Sequence, residues 1–296
     1  MKVVRPTMIT EAMLTASSIA ENDYDAWTSG SAYAKGARVV RLHSIYEAVS
    51  AVTANKPPES NSDVWLFVMP TNRWAMFDRS VGTLSTAPNS ISVTISPGPV
   101  DTLALLEVEG LSATATMKVS GVPVWTRTLS TAAGGAVIDN WFDYFFAPVG
   151  TRNVLVFDDL PVYSAGVIDV TIDAGTGTAS LSTLVVGRQF NLGTTEISAS
   201  ISNKDFSRRE DNAFGTTMLV ERAWSKKMNV RALLPTGNVD AVQRELAKLR
   251  ATPALWIGDE SFDALVIYGF YTSFALDLAT EANSYCTLAI EGLISS

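Results

Sequence analysis

Ser90-Ile91-Ser92-Val93-Thr94-Ile95 places an apolar residue at every second position, with hydroxylated residues between. Successive side chains on an extended strand point to opposite faces, so a period of two reads as a half-buried β-strand. The same rhythm returns at Ala115, Met117 and Val119, and with small slips at Val154, Val156, Val167, Val170 and Ile172. Gly and Pro interrupt it at Pro97-Gly98-Pro99, Gly134-Gly135, Pro148, Pro161 and Gly175-Thr176-Gly177. Many short strands at this spacing predict a β-sandwich, jelly-roll-like, over 84–197. Within it, Trp141-Phe142-Asp143-Tyr144-Phe145-Phe146 reads as a buried strand in preference to an exposed aromatic ledge.

Toward the C-terminus the pattern changes. Strand-like runs at 214–222 and 226–234 precede a segment in which Val239, Val242, Leu246 and Leu249 recur at helical spacing. Asp240, Arg244, Glu245, Lys248 and Arg250 fall on the opposite face, so the spacing predicts one helix over 239–250. Asn238 is the expected N-cap and Pro253 the stop. Further strands are expected at 254–257, 265–268, 270–279 and 285–293. Strand-strand-helix followed by strands predicts an α+β barrel with one helix over 198–296.

Toward the N-terminus, residues 1–21 show no clear period and read as an arm. Its apolar residues Met8, Ile9, Met13, Leu14 and Ile19 would pack on another domain or on a neighbouring subunit. Residues 22–83 form a small aromatic β module, with strands at 38–42, 44–49 and 64–69 and loop chemistry from Lys56 to Asp63. So short a segment without a disulfide buries little apolar surface. Trp27, Tyr33, Tyr46, Trp65 and Trp74 must supply much of its core. The whole chain is therefore expected to be mainly β and multidomain.

Bulk properties narrow the function classes. The chain has 296 residues, 47% hydrophobic and 18% charged, with a net charge of −8. Residues 84–197 hold four basic and ten acidic side chains, so −6 of that charge lies there. Phosphate backbones are bound by Lys and Arg, so no direct nucleic-acid partner is expected. Cys286 is the single cysteine, which excludes an intramolecular disulfide and a Cys-based metal site. No signal-peptide h-region and no apolar run of roughly 20 residues is visible, so neither export nor a membrane partner is expected.

Catalytic motifs are missing. His43 is the single histidine and reads as structural or solvated, and no G-x-S-x-G, H-E-x-x-H, P-loop or G-x-G-x-x-G occurs. No cofactor and no metal are expected. Asp158-Asp159 and Glu107/Glu109 are the visible carboxylate pairs for a glycosidase. On a strand the first pair would point to opposite faces, whereas the second would share one, as a polar sheet edge also would. The Arg208-Arg209 and Lys226-Lys227 pairs read as solvated faces or inter-subunit contacts, with Glu210, Asp211, Asp259 and Glu260 available to match them.

Trp27, Tyr33, Gly36, Val39 and Tyr46 fit W-x5-Y-x2-G-x2-V-x6-Y, with Trp65 closing the set. This pattern resembles the small carbohydrate-binding modules of chitinases. The resemblance implies a sugar-stacking role for Trp27, Tyr33, Tyr46 and Trp65, and a packed mini-core accounts for the same rings. Those modules usually carry a further exposed Trp after the second Tyr, where this chain has Ala48-Val49-Ser50-Ala51. The following Thr71-Asn72-Arg73-Trp74-Ala75-Met76-Phe77-Asp78 resembles a version carried by tail and baseplate proteins of tailed bacteriophages. It reads as a rigid joint, with Arg73 pairing Asp78 while Trp74, Met76 and Phe77 pack the module on its neighbour.

The last third resembles the hub domain of phage tail-tube and distal tail proteins, though in that family the hub normally comes first in the chain. The resemblance implies a virion protein, made and assembled in the bacterial host cytoplasm, forming a threefold or sixfold ring of its own copies. Its partners would be the tail tube, baseplate hub proteins and host cell-surface polysaccharide. A free-standing carbohydrate-binding protein is the alternative reading, and a polysaccharide hydrolase a third.

Overall fold

The computed structural model describes residues 1–53, 55–78, 82–132, 141, 151–211, 217–259 and 262–293. The protein is mainly β, and every named strand pair is antiparallel.

The module is a three-stranded sheet, β3 (Arg38–Arg41), β4 (Ser44–Ala48) and β5 (Trp65–Pro70), in that order. Leu42 and His43 join β3 to β4 with φ of 48° and 62°. Positive φ at both central residues is the two-residue hairpin geometry that matches strand twist, although Gly or Asn adopts it more readily.

Six further strands build the sandwich: β2 (Leu14–Ser17), β6 (Ser85–Ile95), β7 (Thr102–Glu109), β8 (Ser112–Val119), β9 (Val122–Ser130) and β10 (Val154–Phe157). They are tied by one long strand, β11 (Gly166–Asn191). Its first half pairs with β8 and β6. After a register break between Asp173 and Thr178, with Gly175 at φ 61°, it keeps β6 as a partner through Leu181 and exchanges β8 for β7. Such a bend makes a corner in the sheet. The core it encloses includes Leu103, Leu105, Met117, Phe157, Ile168 and Ile172. β7 is apolar without interruption from Leu103 to Leu106 because both faces are covered. Leu103 and Leu105 enter this core, while Ala104 and Leu106 enter a second cluster with Leu255 and Val266.

The segment expected to be an arm instead contributes two strands to the large sheet. β1 (Lys2–Pro6) lies inside the large sheet, paired with β11 (Val3↔Phe190) and with β17 (Ala254–Ile257; Val4↔Leu255). Leu14 and Ile19 are buried in the sandwich core, and β2 pairs with β6. Five residues are too few to show a period, and the partners lie far away in sequence.

The remaining strands are β12 (Thr194–Thr195), β13 (Ser200–Asp205), β14 (Arg208–Asp211), β15 (Thr217–Val220), β16 (Trp224–Pro235), β18 (Val266–Leu278) and β19 (Asn283–Gly292). The sheet runs β10-β7-β11-β1-β17-β18-β19-β16-β12. The helix α1 (Val239–Lys248) packs Val242 and Leu246 on this sheet, against a core holding Val230, Trp256, Cys286 and Leu288. It ends two residues earlier than expected, with Leu249 as its C-cap, and Pro253 plays no part in stopping it. Asn238 is not a side-chain cap. The 3₁₀ turn Thr236–Asn238 leads directly into the helix, so Asn238 already has helical dihedrals (φ −95°, ψ −4°).

Trp256 is fully buried and its Nε1 donates to the Gly269 carbonyl at 3.0 Å. Trp256→Ala is expected to cost about 3–5 kcal/mol through the cavity it leaves, measurable as a lowered urea midpoint. A loss below about 1 kcal/mol would mean this core is not packed as described.

Candidate functional site

Trp65 is buried in the module core, and Trp27, Tyr33 and Tyr46 pack half-buried against it. Trp65 is 2% exposed, and its Nε1 donates to the Lys56 carbonyl at 3.0 Å. Tyr33 stands edge-on to it, with ring centroids 5.4 Å apart, and its hydroxyl accepts the Thr28 N–H at 2.8 Å. The Arg41 guanidinium covers Trp27 at 4.5 Å and forks onto Glu59, with Nε and Nη2 each 2.9 Å from its carboxylate. That guanidinium holds the Glu59 carboxyl below its usual range. Together with Val39, Ala48 and Val52 these groups form one small cluster.

Tyr46 packs on the same cluster and also reaches the edge strand. It is the cross-strand partner of Phe67, their centroids 6.0 Å apart, and Phe67 is 54% exposed. Leu66 and Met69 are also exposed on this edge strand, beside a bulge that opposes Ile45 and Tyr46 to Met69 and Phe67. On this sheet the exposed ring is therefore Phe67, with the half-buried Tyr46 edge-on beside it. The signal for it is Trp65-Leu66-Phe67-Val68-Met69, an apolar run on a three-stranded sheet that has too little core to bury both faces.

The joint is built by residues 71–77. Trp74 and Met76 are buried in the sandwich core, and Phe77 packs against it. The expected Arg73–Asp78 ion pair does not form. Asp78 accepts from Thr83 Oγ1 at 2.8 Å, and Arg73 Nε is buried without a hydrogen-bond partner among the described residues. A different residue braces the joint. The His43 ring stacks on Trp74 at 4.3 Å, and its Nδ1 lies 2.9 Å from Glu21, which also accepts from Thr71 Oγ1 at 2.9 Å. Asn72 exchanges two bonds with the Thr86 backbone, at 2.9 and 2.7 Å. The lone histidine is thus engaged in holding the module.

Neither carboxylate pair faces across a cleft. Asp158 and Asp159 follow the end of β10 and both approach Arg127 Nη1, at 3.7 and 2.8 Å, while Lys2 reaches Asp158 at 2.8 Å. Convergence replaces the expected divergence because the chain has left the strand at Phe157. Glu107 has φ 52°, which breaks the alternation of β7: Leu106 enters one cluster and Val108 the other. Glu109 accepts from Ser180 at 3.0 Å, whereas Glu107 lines a cleft of about 170 Å³ with Trp224, Lys226 and Tyr268. Among the described residues no group of three or more His, Cys, Asp or Glu could hold a metal ion. Burial pushes the Cys286 thiol up to about 11.

The C-terminal sheet carries an element with no counterpart in the core. β16 pairs with β19 only as far as Lys227, yet β13 continues along it to Trp224, and the ribbon extends as β14 paired with β15. β13 is exposed throughout, and Met218, Leu219 and Val220 of β15 are 60%, 79% and 37% exposed. At the ribbon base Glu291 joins Lys204 (2.9 Å) and Lys227 (3.3 Å), which hold its carboxyl below the usual range. Arg208 pairs with Glu210 at 3.2 Å. Of the aromatic stretch expected to be a buried strand, Trp141 is 79% exposed and not in a strand, while residues 142–146, like Glu260 and the start of the strand expected at 214–222, lie outside the described residues. Among the described residues no helix is long and apolar enough to cross a membrane.

No family model matches this chain, and neither the curated proteins nor the solved structures contain a match.

Two results would check this geometry. Trp65→Ala should cost about 3–5 kcal/mol and unfold the module, whereas Phe67→Ala should stay within about 0.5 kcal/mol in thermal melts. The opposite ranking would place Trp65 outside the core. Cys286 should resist alkylation until the protein unfolds, because the thiolate is the reactive form. Prompt labelling of the native protein would contradict its burial.

Proposed function

We propose that this chain is a structural component of a bacteriophage tail tip or baseplate, assembling into a ring and presenting its aromatic module outward. The observation that carries the assembly part is the end of the β13–β16 pair beyond Lys227, with its β14–β15 extension. Exposed strands with unpaired edges and apolar side chains invite pairing with another chain. A ribbon that leaves its own sheet engages its neighbour head to tail, and closed cyclic symmetry is the usual outcome of such heterologous contacts. The helix-flanked C-terminal sheet agrees with the hub-like resemblance, and the residues 71–78 joint with the tail-protein signature. Under this reading the protein works by shape and assembly, not by catalysis.

The exposed Phe67 ring beside half-buried Tyr46 favours a glycan-contact role for the module, since sugar C–H faces stack on flat rings. That observation also supports the second reading, a free-standing carbohydrate-binding protein.

The test is Met218→Ser combined with Leu219→Ser, two exposed positions whose change leaves the folded core intact. Light scattering of the parent protein should give a closed multiple of the 31.8 kDa chain, and the double variant should give the monomer. A parent protein that is monomeric at every concentration, or a variant with unchanged mass, defeats the ring reading.

A further inference from the structure

Arg5 of β1 and Arg188 of β11 are direct cross-strand partners, and both are exposed. Opposed residues on antiparallel strands have Cβ atoms about 4.5–5.5 Å apart on one face, so two like charges are held side by side. Neither guanidinium makes an ion pair or a side-chain hydrogen bond among the described residues. The juxtaposition is unfavourable for folding, and it occurs in a chain of net charge −8, where acidic groups to relieve it are plentiful.

The pair opens into a cleft of about 520 Å³ walled by Pro6, Pro97, Pro99 and Phe190. Its position is set from both sides. The Gln189 N–H between Arg188 and Phe190 donates to Asp101 Oδ1 at 2.8 Å, and Phe190 packs on the C-terminal core. Proline rings fix their own backbone angle, so the wall is largely preformed. The acidic group on the rim, Glu245 of α1, is already bonded to Lys248 at 2.9 Å.

We infer that this cleft binds an acidic sugar unit, its carboxylate or phosphate held between Arg5 and Arg188 and its apolar C–H face against Phe190 and the prolines. Guanidinium forks match the two oxygens of a carboxylate or phosphate, and bound charge relieves the Arg5–Arg188 repulsion. The cleft volume admits a body larger than a bare ion, which the apolar walls require. The site is independent of the Tyr46–Phe67 pair and does not rest on the tail-tip reading.

Titration calorimetry of the full chain tests this with three probes: glucuronate, inorganic phosphate and glucose. Glucuronate is expected to bind, phosphate to bind more weakly and glucose not at all. In the Arg5→Gln, Arg188→Gln double variant glucuronate affinity should fall at least about tenfold. Both positions are exposed, so circular dichroism should match the parent protein. Glucuronate binding unchanged in the double variant overturns the site, as does its absence in the parent protein. Equal affinity for phosphate and glucuronate overturns the role of the apolar walls and with it the sugar.

Discussion

The structure depends on one short strand being saturated on both sides. β1 carries backbone ladders to β11 on one edge and to β17 on the other, so the sandwich and the helix-bearing sheet share a continuous hydrogen-bonded layer. Its two valines divide the work, Val3 entering the C-terminal core and Val4 the cluster that also receives Ala104 and Leu255. Each bond in such a ladder contributes only about 0.5–1.5 kcal/mol net, but a buried group left unpaired costs about 1–3 kcal/mol. Removing β1 would leave two open edges facing each other, which is why the ladder is the constraint and its individual bonds are not. A further tie lies nearby, where Arg152 forks onto Asp263 at 3.0–3.1 Å.

The module and the β14–β15 ribbon are attached to this layer at different points of the chain. The module is held through Trp74 and Met76, which are buried in the sandwich core while the rest of the module keeps its own small cluster. The β14–β15 ribbon leaves the far end of the sheet beyond Lys227. The proposed assembly role would use this combination: a stiff frame, and exposed parts that can meet other surfaces.

Elements with local periodicity were legible in the sequence. The three module strands, the alternation through β6 and β8, and the face of α1 carrying Val242 and Leu246 were all placed within a few residues. Features set by distant partners were not. β1 was hidden because Lys2–Pro6 has no period, and its partners lie more than 180 residues away. The same holds for the His43–Trp74 stack, since nothing local to His43 points to residue 74. Local patterns also misled where the backbone broke them, as at Glu107, whose positive φ undoes the shared face that its spacing with Glu109 implies. At the module, the aromatic spacing identified rings but not their direction. Trp27, Tyr33, Tyr46 and Trp65 all belong to the small core, and the exposed ring is Phe67, a residue with no place in the W-x5-Y pattern.

Native-state hydrogen exchange with residue-level readout tests the central role of β1 most directly. The amides of Val3 and Val4 should fall in the slowest class, together with those of β11 and β17, and respond to denaturant as one cooperative unit. Fast exchange of β1 while β11 and β17 stay protected in separate units would contradict the account, because the two halves would then be held by their own cores and not by a shared layer.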